Sequence, residues 1–232
     1  MVLVSRSGKV ARGAEREWEW LQACGADVRV HRCDVADGSA VREMVASVES
    51  SVGAIRGVVH TAGVLADAML LNQTMEGLQK VWAPKVTGAY NLHEATQHCE
   101  LELFVLFSST SAMLGNAGQT NYAAANAALD GLARERRARG QSAVSVQWGP
   151  WGEAGMAVES GVLATMKSQG VRGITNQEGL SVLDVTARDD APAVVGVLPV
   201  KWATLLGPSS EVSALLSDFQ QAVGGIGVGE AT

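Results

Sequence analysis

Six short runs, most of them rich in β-branched residues, recur along the chain: Val2 to Ser5, Val28 to Cys33, Ile55 to His60, Leu101 to Ser108, Ala143 to Trp148 and Ala193 to Leu198. Near-continuous runs of this kind suit strands of a parallel sheet covered on both faces, where no polar alternation is needed. Between them, apolar positions take helical spacing near Glu15 to Cys24, Ser39 to Val52, Thr74 to His98 and Gly118 to Arg139. Alternating strand and helix predicts an α/β, doubly wound parallel sheet. Pro84 is expected to kink or restart the helix that carries Lys85, because proline has no N–H to give the preceding turn. Thr175 followed by Glu178, Leu180 and Leu183 has the form of a capping box opening a further helix. From Gly207 the chain turns to Gly, Pro and Ser and ends in Gly224, Gly225, Gly227 and Gly229, so residues 207–232 read as a C-terminal linker after a domain at 1–206. The Gly-x-Gly spacing of that tail is no dinucleotide fingerprint, since only three residues follow Gly229 and no helix can begin there.

Composition narrows the function classes. Eighteen Lys and Arg against 24 Asp and Glu give a formal charge of −6, which offers no basic field for a phosphate backbone and argues against nucleic acid as a partner. Cys24, Cys33 and Cys99 are odd in number and widely spaced, neither a CxxC knuckle nor a complete disulfide set, and point to the reducing cytoplasm. The start, MVLVSRSG, lacks the order of a signal peptide, and no run of about eighteen apolar residues is present to span a membrane.

The chemistry concentrates in Phe104 to Asp130, FVLFSSTSAMLGNAGQTNYAAANAALD. An apolar strand delivers serines at its carboxyl end, where open α/β sheets gather ligands, and an Ala-rich helix opens around Tyr122. Tyr122 and Asn126, four apart, share one helix face. This segment resembles the active-site stretch of ketoreductase domains of modular polyketide synthases, a branch of the short-chain dehydrogenase/reductase superfamily. Pro84 to Thr96, PKVTGAYNLHEAT, resembles the lysine helix of that branch, with Lys85 on its catalytic lysine. The resemblance implies a Rossmann-like fold and NADPH-dependent reduction of a β-ketoacyl group carried on an acyl carrier protein beside neighbouring synthase domains. A free-standing 3-oxoacyl-carrier-protein reductase fits less well, because there lysine stands four after the tyrosine, where this chain has Asn126.

In the implied roles, Tyr122 supplies the proton that quenches the alkoxide, Ser109 hydrogen-bonds the carbonyl oxygen, and Asn126 holds Lys85 or a relay water. A nearby ammonium from Lys85 is expected to lower the phenol from its usual pKa near 10. For the cofactor the resemblance assigns Ser5 and Arg6 to the ribose 2′-phosphate, Asp34 and Val35 to the adenine, Thr61, Ala62 and Gly63 to the segment beneath the cofactor, and Gly149 and Pro150 to the loop under the nicotinamide. His60 and Trp148 read as structural. The stretch from Met156 to Gln169 reads as a lid over the substrate.

The chain departs from the family at its start. The family opens this domain with a strand, a Gly-rich turn and a helix ahead of the strand ending in LVSRSG, whereas Met1 stands almost at that second strand. The expectation is a sheet lacking a middle strand and the turn that holds the pyrophosphate, and hence poor binding of NADPH. A non-catalytic module that keeps the helices and docking surfaces is the rival reading. In the family, one product hand goes with a Leu-Asp-Asp motif and the other with a tryptophan eight before the tyrosine. Here Leu65, Ala66 and Asp67 keep the second Asp, and Leu114 stands where the tryptophan would, which implies a B-type, D-hydroxyl product.

Overall fold

The computed structural model describes residues 1–11, 13–186, 188, 190–206 and 214–219. They form two compact units: Met1–Gln147 with Ala187–Val195, and Trp148–Thr186 with the described residues from Gly196 onward. Strand β1 (Val2–Ser5) pairs in parallel with β2 (Arg29–Arg32), Val2 opposite Arg29 and Ser5 opposite Arg32. A second sheet has the order β3 (Gly57–His60), β4 (Leu103–Ser109), β5 (Val144–Trp148), β6 (Val194–Val197), with β3 and β4 parallel. Each strand falls inside, or within one residue of, the apolar run that predicts it. The sheet is thus divided in two, with β1 and β3 facing a shared cleft.

Helices α1 (Glu15–Ala23), α2 (Gly38–Ser51), α3 (Met75–Trp82), α4 (Gly88–Ala95), α5 (Ser111–Leu114) and α6 (Thr120–Ala138) complete the first unit. Asp37 caps α2 by accepting from the backbone N–H groups of Ser39 and Ala40 at 2.9 and 3.2 Å. Val41, Met44 and Val45 of α2, Ala89, Leu92 and Ala95 of α4, and Leu129, Leu132 and Ala133 of α6 bury their helical stripes around Phe104 and Leu106 of β4. Pro84 does not break the helix between α3 and α4. Residues Ala83–Thr87 form a π-helical turn, whose wider loop takes up the missing proline N–H and carries the path on into α4.

In the second unit, Gly149 N–H donates to the Val197 carbonyl at 2.8 Å, and a Cβ at Gly149 would stand only 2.9 Å from Leu198 Cδ1, so the backbones approach there because no side chain intervenes. Trp148 is buried and its ring lies 5.0 Å from that of Trp151. Helices α7 (Met156–Glu159), α8 (Leu163–Ser168), α9 (Asn176–Thr186) and α10 (Trp202–Leu206) follow. The capping box forms at α9: Glu178 N–H donates to Thr175 Oγ1 at 3.2 Å and Thr175 N–H to Glu178 Oε2 at 3.0 Å. Arg172 grips the same carboxylate at 2.6 and 2.8 Å, and it and the Thr175 contacts hold the Glu178 pKa down to about 2. Of the linker expected over 207–232, residues 207–213 and 220–232 lie outside the described residues. Within it, Ala214–Leu216 makes a 3₁₀ turn and the Phe219 ring stacks on Trp202 with centroids 4.1 Å apart.

Candidate active site

Strand β4 ends in Ser108 and Ser109, and the helix that answers it is α6. Its buried positions Tyr122, Ala125, Asn126, Leu129 and Leu132 recur every three or four residues, so the stripe that anchors the helix also turns the polar pair inward. Ser108 Oγ donates to the Asn126 carbonyl at 3.2 Å, which ties the strand end to the helix. Ser109 Oγ accepts from Ser111 N–H at 3.1 Å and hydrogen-bonds with the Tyr122 side chain. Asn126 is fully buried; its Nδ2 donates to the Tyr122 carbonyl at 2.8 Å, and its Oδ1 has no partner among the described residues.

The π-helical turn supplies Lys85. Its side chain is almost entirely buried and its Nζ donates to the Phe107 carbonyl at 2.9 Å, 5.3 Å from the centre of the Tyr122 ring. Burial drives the Lys85 pKa down to about 8, against the opposing pull of the Asp130 carboxylate. The sequence brings Lys85, Ser109, Tyr122 and Asn126 to one place, but one electrostatic expectation is corrected. The Tyr122 pKa lies above its ordinary value, because burial outweighs the hydrogen bonds from Asn126 and Ser109 and the Asp67 charge adds to the rise. The ammonium stands over the ring face, 5.3 Å from its centre, and donates a hydrogen bond to the Phe107 carbonyl.

His60 is structural here: its Nε2–H donates to the Lys85 carbonyl at 2.9 Å, and burial lowers its pKa to about 4. Three supporting residues escape the sequence reading. Asp130, one turn beyond Asn126, is buried and accepts from Ser145 Oγ at 2.6 Å and Gln147 Nε2 at 2.7 Å. Gln119 Nε2 donates to Asp67 at 2.8 Å, and Asn121 Nδ2 donates to the Ala66 carbonyl at 2.8 Å, so the Leu65–Asp67 segment is stitched to the start of α6. The four-residue spacing from Asn126 was the available signal for Asp130; nothing local marks the other two. Leu65 packs on the cluster of Val81, Val86, Tyr122 and Ala125, whereas Leu114 ends α5 partly exposed.

Ser5, Arg6, Asp34, Val35, Thr61, Ala62 and Gly63 all line one cleft of about 890 Å³ between β1 and β3. Sequence positions up to 58 residues apart thereby meet at the carboxyl ends of three strands. Asp34 accepts from Ala36 N–H at 3.0 Å, and the Arg6 carbonyl accepts from Arg32 Nε at 3.2 Å. Gly63 links the cleft to Lys85: a Cβ there would stand 3.1 Å from Lys85 Cε. Gly149, Pro150 and Met156 belong to the second unit.

A parallel sheet gathering a Ser, Tyr, Asn and Lys at one strand end defines a short-chain dehydrogenase/reductase-type site, and comparison with known proteins agrees. The KR domain family profile matches residues 1–153, and the chain belongs to this ketoreductase family of polyketide synthases. It is 42% identical over 201 residues, 85% of its length, to the phenolphthiocerol synthesis polyketide synthase type I Pks15/1 of Mycobacterium marinum. It is 43% identical over 202 residues, 87% of its length, to polyketide synthase GfsB of Streptomyces halstedii. The chain spans only 10% and 4% of those two proteins. Among solved structures, an A1-type ketoreductase superposes with a TM-score of 0.88 at 37% identity, covering 97% of this chain and 48% of that one. The first ketoreductase of the tylosin synthase gives 0.77 at 40% identity, over 88% and 44%.

Proposed function

We propose that this domain carries the NADPH-dependent reduction of a β-ketoacyl thioester presented by an acyl carrier protein within a polyketide synthase. The observation that carries this reading is the gathering of the buried Tyr122, Asn126 and Lys85 beside the half-buried Ser109 at the end of β4. When bound, NADPH supplies the hydride. The residues lining the cleft suit it: Arg6 offers a cation for the 2′-phosphate, Val35 an apolar wall, and Ala62 and Gly63 a backbone that can be approached closely. Tyr122, raised by burial, stays a protonated phenol at neutral pH and can donate to a developing alkoxide beside Ser109 Oγ. Lys85, near 8, keeps mostly its ammonium form at pH 7 and can return a proton toward the phenol, with the open Asn126 Oδ1 as the acceptor that holds it or a relay water.

For product hand we favour the B-type, D-configured alcohol. Asp67 is held in place by Gln119, three residues before Tyr122, and Leu114 leaves no aromatic wall on the opposite side. The A1-type neighbour names the competing outcome. A second reading, a non-catalytic docking module, is favoured by one observation, the division of the sheet at the cofactor cleft.

The test follows NADPH oxidation by the 232-residue chain with a β-ketoacyl thioester, with chiral chromatography of the product. Turnover that falls by about 10² to 10⁴-fold in Tyr122→Phe, with NADPH affinity unchanged, is the expected result. More than about a tenth of the parent rate in Tyr122→Phe removes the tyrosine as acid. Absence of both NADPH binding and turnover hands the case to the docking module, and predominantly L product overturns the B-type assignment.

A further inference from the structure

At the other end of β4 from Ser109, three side chains that the reaction does not use converge. Glu49 comes from the last turn of α2, and His98 and Cys99 from the turn that closes α4. His98 Nε2 stands 3.0 and 3.1 Å from the two Glu49 oxygens, Cys99 Sγ 3.5 Å from Glu49 Oε1, and Cys99 Sγ 3.7 Å from His98 Nε2. These separations lie close to the edges, ~3.3 to 3.6 Å, of a tetrahedron built on Zn–N and Zn–O bonds of about 2.0 Å and a Zn–S bond of about 2.3 Å. An imidazole nitrogen, a sulfur and a carboxylate oxygen are donors that zinc accepts together.

The supports are rigid. Val45 of α2 and Leu92 and Ala95 of α4 belong to one buried cluster, so the two helices that carry the ligands are locked together one or two turns away. The Cys99 N–H donates to the Thr96 carbonyl at 3.1 Å, and the buried Thr96 side chain donates to the Leu92 carbonyl at 2.7 Å, which fixes the turn. The turn follows a helix C-terminus, where the backbone dipole favours a cation. His98 is exposed, leaving the side of the cluster toward solvent open to a water as fourth ligand.

We propose that Glu49, His98 and Cys99 form a binding site for a single divalent transition-metal ion, zinc by its donor set, which pins the end of α2 to the end of α4. Cys99 lies four residues before β4 and Ser109 at its far end. At ~3.3 Å per residue, the site is thus more than 20 Å of strand away from the ketone chemistry.

The test titrates the full 232-residue chain with Co²⁺ alone, in a Cys24→Ser background that removes the exposed thiol of α1's C-cap. Expected are one equivalent of Co²⁺, the visible bands of a tetrahedral ion with thiolate charge transfer, and displacement by Zn²⁺. Cys99→Ser should abolish the charge-transfer band, and Glu49→Gln and His98→Gln should each weaken binding about tenfold or more. Zn²⁺ should raise the melting temperature of the parent and not of the Cys99→Ser variant. All three variants change partly exposed groups and should melt near the parent without metal, which separates loss of the site from loss of the fold. An octahedral cobalt spectrum, or Zn²⁺ affinity unchanged by Cys99→Ser, overturns the proposal and leaves a surface His98–Glu49 ion pair.

Discussion

The carboxyl end of β4 and the carboxyl end of β1 are both places where an open α/β sheet gathers ligands, yet they are built differently. At β4 the chemistry is enclosed: Lys85, Tyr122 and Asn126 are each less than a tenth exposed, and every one is tied to a neighbour by hydrogen bonds or ring contact. At β1 the residues border an open cleft, Arg6 is exposed, and among the described residues the strand pairs with β2 alone. Ser109, Tyr122 and Asn126 come from one stretch, residues 104–130, which brings its own packing face. The cleft residues come from three strand ends, and their relative placement depends on the sheet being continuous.

If this contrast is right, side-chain deletions on the two strands should differ most of all. Phe104 in β4 is fully buried, with the Arg136 guanidinium 4.0 Å above its ring and His93 at its edge. Phe104→Ala should cost about 3 to 5 kcal/mol in denaturant unfolding. Val4 in β1 is 39% exposed, and Val4→Ala should cost below about 1 kcal/mol. Equal costs would mean that β1 is integrated into the core as fully as β4.

Next in size is the buried ammonium. Folding holds Lys85 near pKa 8 against 10.5 for the free side chain, so between those values the unfolded chain binds more protons than the native one. Native stability should therefore rise with pH there, by roughly 2 kcal/mol from pH 8 to 10. Below pH 8 the penalty is present in full. The window closes near pH 10, where Tyr122, with its raised pKa, begins to work the other way. In Lys85→Met the rise should vanish. A parent and variant with parallel stability curves over pH 8 to 10 would show that Lys85 is hydrated in solution.

The strands, the helices and the α9 capping box were legible because each rests on local signals: β-branched runs, 3.6-residue stripes, and Thr175 three before Glu178. The meeting of Lys85, Ser109, Tyr122 and Asn126, the proposed catalytic set, was legible through motif spacing. What sequence could not supply was orientation. Lys85 stands over the face of Tyr122 from a π-helical turn at Pro84 that packs Val86 on α6 and is tied to β4 by the Lys85–Phe107 hydrogen bond. The Gln119 and Asn121 links to residues 66–67 span more than 50 positions and leave no local trace.

The smallest expected effect tests whether the two regions are coupled. Gly63 borders the cleft, and a Cβ at this position would stand 3.1 Å from Lys85 Cε and 3.4 Å from Nζ. Its φ is not in the left-handed region, so alanine meets no backbone strain and the effect of Gly63→Ala isolates the contact. The neighbour is the end of a long side chain, which can give by a few tenths of an ångström, but it is buried and held by the Phe107 carbonyl. A cost of about 1 kcal/mol, at the low end for overpacking, is expected. Displacing Nζ toward the Tyr122 ring should also move the alkaline stability rise along the pH axis, which a merely steric defect would not do. If the variant loses stability with the pH dependence unchanged, the cleft and Lys85 are neighbours without being coupled.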